Sequence, residues 1–327
     1  MSTGLSVKLI ALTGQKVTYA NGETSKDSWH TRSDAAGILV LDPANPTTGG
    51  YVYMSNSEES DGNGGVFGLY FDADGNILEY KPILTGTTDN CGGGLTPWNT
   101  YITCEETGGG QCWQVGADGR TEETNLGGKD GGWYESVAVD PRVYDAPVFF
   151  TTEDVEDGAL RRFVATQHGW DAVHSDGEET FLNLFDDGTF EWTEDEDVGK
   201  ASAKKFFPNT EGIQIHEGKV FFMSKEKQTL IILDLENYTW ISEGTGKKFY
   251  GEGSFNGQPD QNVFGPTRNY IYFTEDGSND PGVYARYGTD GTYFTLFQAI
   301  AGGIHTNDET IGIALSPDHR RFYAGKY

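Results

Sequence analysis

The sequence predicts an all-β fold, a six-bladed β-propeller, on three observations. Its 327 residues include 45 Gly, 17 Tyr and 19 Phe, with frequent Thr, the bias of short strands joined by tight turns and not of helices. One local pattern returns along the whole chain at intervals of about 50 residues, the length of a four-stranded blade. The last copy ends at the C-terminus while two strand-like runs stand at the N-terminus, so N-terminal strands are expected to pair with the last blade and close the ring. Closure implies a single domain over residues 1–327.

The pattern is an apolar strand, a turn often marked by Asp-Pro or Pro-Asp, and a second apolar strand ending in small and acidic residues. Its copies are Ile38–Pro43 with Tyr51–Glu58, Gly94–Trp98 with Thr100–Glu106, and Ser136–Pro141 with Val148–Asp154. Gly212–His216 with Val220–Lys225, Asn262–Pro266 with Tyr270–Asp276, and Gly312–Asp318 with Arg321–Lys326 complete the series. The second strands centre near Met54, Thr103, Thr151, Met223, Thr274 and Ala324. Between Thr151 and Met223 the interval grows to about 72 residues; the extra length falls in the polar, acidic stretch 177–205, read as an inserted hairpin or loop. The runs Val7–Thr13 and Lys16–Ala20, separated by Gly14, are the N-terminal strands available for closure.

A formal net charge of −27 repels phosphate backbones and anionic lipid, which excludes nucleic acid and membrane surfaces as partners and favours cations. For most of the 50 Asp and Glu a solvated surface is the default. No run of about eighteen apolar residues is present. Met1–Ser6 lacks the basic and apolar regions of a signal peptide; a mature chain carries no such leader, and a secreted, periplasmic or extracellular protein remains the expectation. A monomer acting on a small molecule is expected. Of the three cysteines, Cys91 is the one left free; whether Cys104 and Cys112 bridge is a matter of geometry that the sequence leaves open.

In a propeller the first strands of all blades converge on one channel, where carboxylates far apart in sequence become one site. Calcium takes six to eight oxygens from a mobile set of loops, which a ring of blades can provide. The simpler role for each repeated acidic pair is to end a strand and cap a turn. The six histidines show no paired zinc spacing. Neither a Gly-x-Ser-x-Gly elbow nor a Gly-x-x-x-x-Gly-Lys-Ser/Thr loop occurs, and the runs Gly92–Gly94 and Gly108–Gly110 read as turns.

The segment Asn90–Glu106 reads Asn-Cys-Gly-Gly-Gly-Leu-Thr-Pro-Trp-Asn-Thr-Tyr-Ile-Thr-Cys-Glu-Glu, and it resembles the signature of the PhoX-type alkaline phosphatases, a propeller family also known as a domain of unknown function. Asn56-Ser-Glu58 resembles the family's Asn-His-Glu. Tyr134-Glu135 with Asp140-Pro141 and Thr152-Glu-Asp resembles its His-Glu, Asp-Pro and Thr-Glu-Asp. Asn209-Thr-Glu211-Gly212 resembles Arg-Pro-Glu-Gly; Pro259-Asp260-Gln261 resembles Pro-Asp-Asn; Glu309 with Ser316-Pro-Asp resembles the last blade. The resemblance thus runs along nearly the whole chain. It implies a channel holding iron and calcium that bind a phosphate ester. By motif, Cys91, Glu135 and Glu211 become candidate iron ligands, and Glu58, Glu105, Glu106, Asp260 and Glu309 candidate calcium ligands. A thiolate beside carboxylates suits a transition metal better than calcium.

Two departures bear on catalysis. Asn209 stands where the family has an arginine able to fork two phosphate oxygens, and it brings no charge. Tyr134 replaces a histidine, a possible acid or supporting donor. Lys204, Lys205 or Arg268 are the cations that could restore the charge, against a solvated surface role for each. The reading drawn from the resemblance is a metal-dependent phosphoester hydrolase with calcium and iron. The alternatives are a calcium-binding propeller without turnover and a calcium-dependent lactonase-like hydrolase, the last on fold analogy alone.

Overall fold

A computed structural model describes residues 6–246, 250–251, 255, 257–265, 267, 269–277, 281–288, 291–298 and 309–326. Arg268 lies outside them. A short hairpin, Lys16–Thr18 (β1) and Thr24–Ser28 (β2), precedes a series of antiparallel up-and-down sheets. The first sheet is Ser33–Val40 (β3), Tyr51–Ser57 (β4), Gly64–Phe71 (β5) and Ile77–Thr87 (β6). The second is Asn90–Leu95 (β7), Thr100–Gly110 (β8), Cys112–Gly116 (β9) and Thr121–Glu123 (β10). The third, continuous with the second through pairing of β8 with its first strand, is Gly132–Asp140 (β11), Val148–Glu153 (β12), Arg161–Ala165 (β13), Gly177–Leu184 (β14) and Phe190–Thr193 (β15). Thr210–His216 (β16), Lys219–Ser224 (β17), Thr229–Asp234 (β18) and Thr239–Gly244 (β19) form the fourth. Gln258–Phe264 (β20), Tyr270–Asp276 (β21), Gly282–Tyr287 (β22) and Tyr293–Gln298 (β23) form the fifth. Thr310–Leu315 (β24) pairs with Phe322–Lys326 (β25).

Every repeated strand pair expected from the sequence is the first and second strand of one sheet. The first strands pack in a closed circuit, β3 on β7, then β11, β16, β20 and β24, and back onto β3. That circuit is the axis of a β-propeller. Between sheets lie layers of apolar side chains: Ala138, Phe150 and Leu182 of the third sheet meet Ile213, Phe222 and Leu233 of the fourth. All seven positions of β4 are buried, as in a strand covered on both faces, and each large side chain so buried contributes about 1.5–3 kcal/mol.

The extra length at 177–205 divides into the sheet's own fourth strand β14, an added strand β15, and the helix Glu196–Phe206 (α1). The acidic residues that made this stretch look like a loop are its helix-start signal: Asp195 accepts hydrogen bonds from the amides of Asp197 and Val198, and Glu196 and Asp197 stand in the first turn. Ala203 and Phe207 anchor the helix end in the core. Closure of the ring also differs from expectation. Among the described residues β1 pairs with β2 and not with β25, and residues 7–12 carry no strand. The chain turns back on itself at Gly22 (φ +86°), so β1 is satisfied locally, and the joint is made by side chains. Val17, with Ile10, Ala11 and Tyr19, packs into the cluster that joins Tyr51 and Phe71 to Ala314 and Tyr323.

Cys104 and Cys112 sit directly opposite each other on β8 and β9 and form a disulfide, with Cα atoms 4.1 Å apart. Closing so short a loop is worth about 2.5 kcal/mol in the chain-entropy picture. The Cys104→Ala/Cys112→Ala double variant should therefore unfold at lower denaturant than the parent, and the gap should vanish when the parent is reduced. Equal midpoints without reductant would reject a stabilising role.

Candidate metal centre

Each first strand slips register against its partner at the same place. The slips fall between Ser33 and Ala36, Asn90 and Gly93, Tyr134 and Val137, Thr210 and Ile213, Pro259 and Asn262, and Ile311 and Ala314. A bulge leaves its extra residues out of the ladder and re-aims a side chain. The first residue of each bulge is Asp34, Cys91, Glu135, Glu211, Asp260 or Gly312, so nearly every blade puts a potential ligand at its bulge, and each of these five side chains is buried.

The second strands supply another tier. Their residues opposite the start of the bulge, Ser57, Glu105, Glu153, Ser224 and Glu275, are followed by Glu58, Glu106, Asp154, Lys225 and Asp276. Successive side chains on a strand point to opposite faces, which separates the two sets. Glu105 accepts hydrogen bonds from the amides of Thr88 and Gln111 and from Trp113 Nε1. Glu275 accepts from the Gly282 amide and Tyr284 Oη.

In the channel, potential ligand atoms of Glu58, Cys91 and Glu106 lie within 4.8 Å of one another, and so do those of Glu135, Glu211 and Asp260. Cys91 links the two trios, because its thiol contacts both Glu106 and Glu135 and favours their ionised forms. Burial dominates the electrostatics. It pushes Glu106 up to about 8, aided by Asp154, and Asp260 up to about 7, aided by Asp276. Glu309 rises to about 9, first through burial and then through Asp260 and Asp276. Glu135 and Glu211 are held well above the usual carboxylate range by burial, with Glu106 and Asp260 adding to the first and Lys225 opposing the shift of the second. Burial, then Asp34 and Glu135, likewise raises the Cys91 thiol.

Set against these acids are Lys225 and Arg32. Lys225 Nζ lies 2.7 Å from Glu211, 2.8 Å from Asp154 and 3.3 Å from Asp276. Burial opposes its charge, but these carboxylates outweigh that and hold the ammonium ionised. Arg32 meets Glu58 at 2.6 Å nearer the surface. Glu135 Oε2 is buried and makes no hydrogen bond among the described residues. So many buried acids, one with an unsatisfied oxygen, fit hard cations bound through oxygen, and the thiol among them fits a transition metal.

The sequence-predicted residues divide as follows. Glu58, Cys91, Glu106, Glu135, Glu211 and Asp260 come together in the two trios, and the grouping cuts across the motif-based division into iron and calcium ligands, which had put Cys91 with Glu135 and Glu211. Glu309 stands beside Asp260 and Asp276. Glu105 faces away, its carboxylate spent on the hydrogen bonds above. Tyr134 is also turned away: fully buried, it donates its hydroxyl to the Gly127 carbonyl at 2.6 Å within the second apolar cluster, because it precedes the bulge that points Glu135 inward. Asn209 supports the centre indirectly, donating from Nδ2 to Asp154 at 2.9 Å and from its backbone amide to Val155. Lys204 and Lys205 are exposed on α1, paired with Glu156 and Asp186. The residues missed are Asp34, Asp154, Lys225 and Asp276. Aligning the repeat residue by residue on Glu106 would have found the last three; Asp34 shares its bulge position with Cys91.

Comparison with solved structures locates the same architecture. A PhoX from Pseudomonas fluorescens in complex with vanadate, a transition state analogue, superposes with a TM-score of 0.69 at 13% identity, over 98% of this chain and 89% of that one. The likeness is one of fold. A protein of unknown function from Bacteroides thetaiotaomicron gives 0.54 at 10% identity over 94% and 68% of the two chains, and a gluconolactonase from Xanthomonas campestris gives 0.49 at 14% over 96% and 85%. No protein-family model and no curated protein sequence matches the chain. Among the described residues, no helix is long and apolar enough to cross a membrane.

Proposed function

We propose that the protein is a metal-dependent phosphoester hydrolase whose channel holds calcium and iron on Glu58, Cys91, Glu106, Glu135, Glu211, Asp260 and Glu309, with Asp34 as a further ligand. The observation that carries the reading is the pair of ligand trios joined through a buried thiol. Hydrolysis of a phosphoester needs positive charge on the phosphoryl oxygens, which bound ions supply when present. The chain's own residues do the rest. The bulges fix the carboxylates in place, burial excludes water, and Lys225 brings into the channel the charge that Asn209 lacks. Asn209 positions Asp154, which in turn holds Lys225. Taking β24 and β25 as a sixth blade gives the ring expected from the repeat. The disulfide supports an oxidising compartment outside the cytoplasm, and a monomer acting on a small molecule remains part of the proposal.

The test is direct. Protein supplied with both metals should cleave a chromogenic phosphomonoester between neutral and alkaline pH. Cys91→Ser should lose iron and its thiolate-to-iron absorption while retaining calcium; a variant with full iron content and unchanged colour would remove Cys91 from the site. Metal retention without cleavage would favour the calcium-binding propeller that acts without turnover, a reading that the missing arginine at Asn209 also favours. Cleavage of a lactone in place of the phosphoester would point to the lactonase-like alternative.

A further inference from the structure

Beside the channel, a cavity of about 280 Å³ opens between the ends of β8 and β12, the start of β11 and the first turns of α1. Its walls include Trp133, Gly108, Glu153, Asp157, Glu196 and Lys200. Trp133 is 44% exposed, and its indole lies over Gly108, where an added Cβ would stand 3.8 Å from Nε1. Trp133 is also the strand partner of Glu106, so the aromatic wall adjoins the metal centre without belonging to it.

The chemistry of the lining selects the ligand. Two of the three acids already have cationic partners: Arg161 reaches Glu153 at 3.6 Å and Glu196 at 3.7 Å, and Lys200 pairs with Glu196 at 2.8 Å. A cationic ligand would meet the ammonium of Lys200 in the same wall, and an anionic one would meet three carboxylates. A neutral ligand with hydroxyl groups meets neither penalty, since hydroxyls both donate to carboxylates and accept from lysine. An aromatic ring in the same lining suits a ligand with one apolar face. The volume is near the lower end of small-molecule pockets, roughly 300–1,000 Å³, and suits a single ring.

We propose that this cavity binds a neutral sugar ring, stacked on Trp133 and hydrogen-bonded to Glu153, Glu196 and Lys200. Resting on the phosphoesterase reading, the ring is then the alcohol part of the substrate, and the substrate class is a sugar phosphate. The assignment is tested without turnover, by calorimetric titration of calcium-loaded and chelator-treated protein with glucose, galactose and methyl glucoside, and with choline chloride as the cationic control. Millimolar sugar binding is expected in both preparations, about tenfold weaker in Trp133→Ala and largely kept in Trp133→Phe, with melting temperatures unchanged. On a sugar phosphate, Trp133→Ala should raise KM and spare kcat. Absence of sugar binding, equal binding by Trp133→Ala, or binding of choline in place of sugars would overturn the assignment. Sugar binding by protein that hydrolyses no phosphoester would uphold the cavity assignment and overturn the hydrolase reading alone.

Discussion

Metal-stripped protein should lose stability as pH rises from about 5 to about 9, and calcium should abolish most of that loss. In the folded chain Asp260, Glu106 and Glu309 hold protons up to about 7, about 8 and about 9, against ordinary values of 3.8, 4.5 and 4.5. The unfolded chain releases them near its ordinary values. Between those limits the folded state therefore binds more protons, and the free energy of unfolding falls as pH rises. The stability is fully present below the ordinary carboxylate range and is lost as pH passes through the raised values. Calcium replaces the protons as the neutralising charge and binds only the folded channel, so it flattens the slope and adds stability by mass action. Denaturant midpoints recorded at acid, neutral and alkaline pH, with chelator and with calcium, measure this. A metal-free stability that stays level or climbs with pH would show that these acids do not share one buried site.

The second large effect is expected at Lys225. Its ammonium is the counter-charge of Glu211, which is 2% exposed, and it also holds Asp154 and Asp276. Lys225→Met removes the cation and leaves buried acids uncompensated, a loss of about 3–5 kcal/mol when one partner of a buried pair is deleted. This cost should appear in full in the metal-free protein at alkaline pH and shrink toward acid, where protonation neutralises the same groups. Calcium should rescue the variant more than the parent, because the ammonium and the ion compete for the Glu211 oxygens, and calcium affinity should rise by about tenfold or more. Phosphoester hydrolysis should fall even in the calcium-loaded variant if Lys225 supplies charge to the substrate. Weaker calcium binding in Lys225→Met would mean that the lysine organises the site and does not compete for it.

The site was partly legible because its ligands ride on a repeat. Cys91, Glu135, Glu211 and Asp260 were found from motifs, and the bulge explains why each works: it turns the first unpaired residue toward the axis. Glu105 and Glu106 show where that legibility stops. The two are chemically identical neighbours, and only the pairing of Asn90 with Glu105 decides which one faces inward. Tyr134 fails for the same reason, one residue away from Glu135. Lys225 was overlooked because the replacement cation was sought at Lys204, Lys205 and Arg268, whereas the chain places an ammonium at the position where neighbouring blades carry Glu106, Asp154 and Asp276.

Strand alternation, turn residues and repeat spacing are local properties, governed by side-chain periodicity and backbone preferences. They made the all-β propeller, its strand pairs and the free Cys91 readable from the chain alone. Which acids meet, how α1 caps the long interval and how the N-terminal hairpin joins the last sheet depend on contacts between residues hundreds of positions apart, such as Asp34 with Gln261 at 2.7 Å and Tyr51 with Tyr323 at 2.7 Å. Local preference carries no term for such contacts. They arise only when the sheets close around an axis and burial makes each unpaired charge costly enough to require a partner.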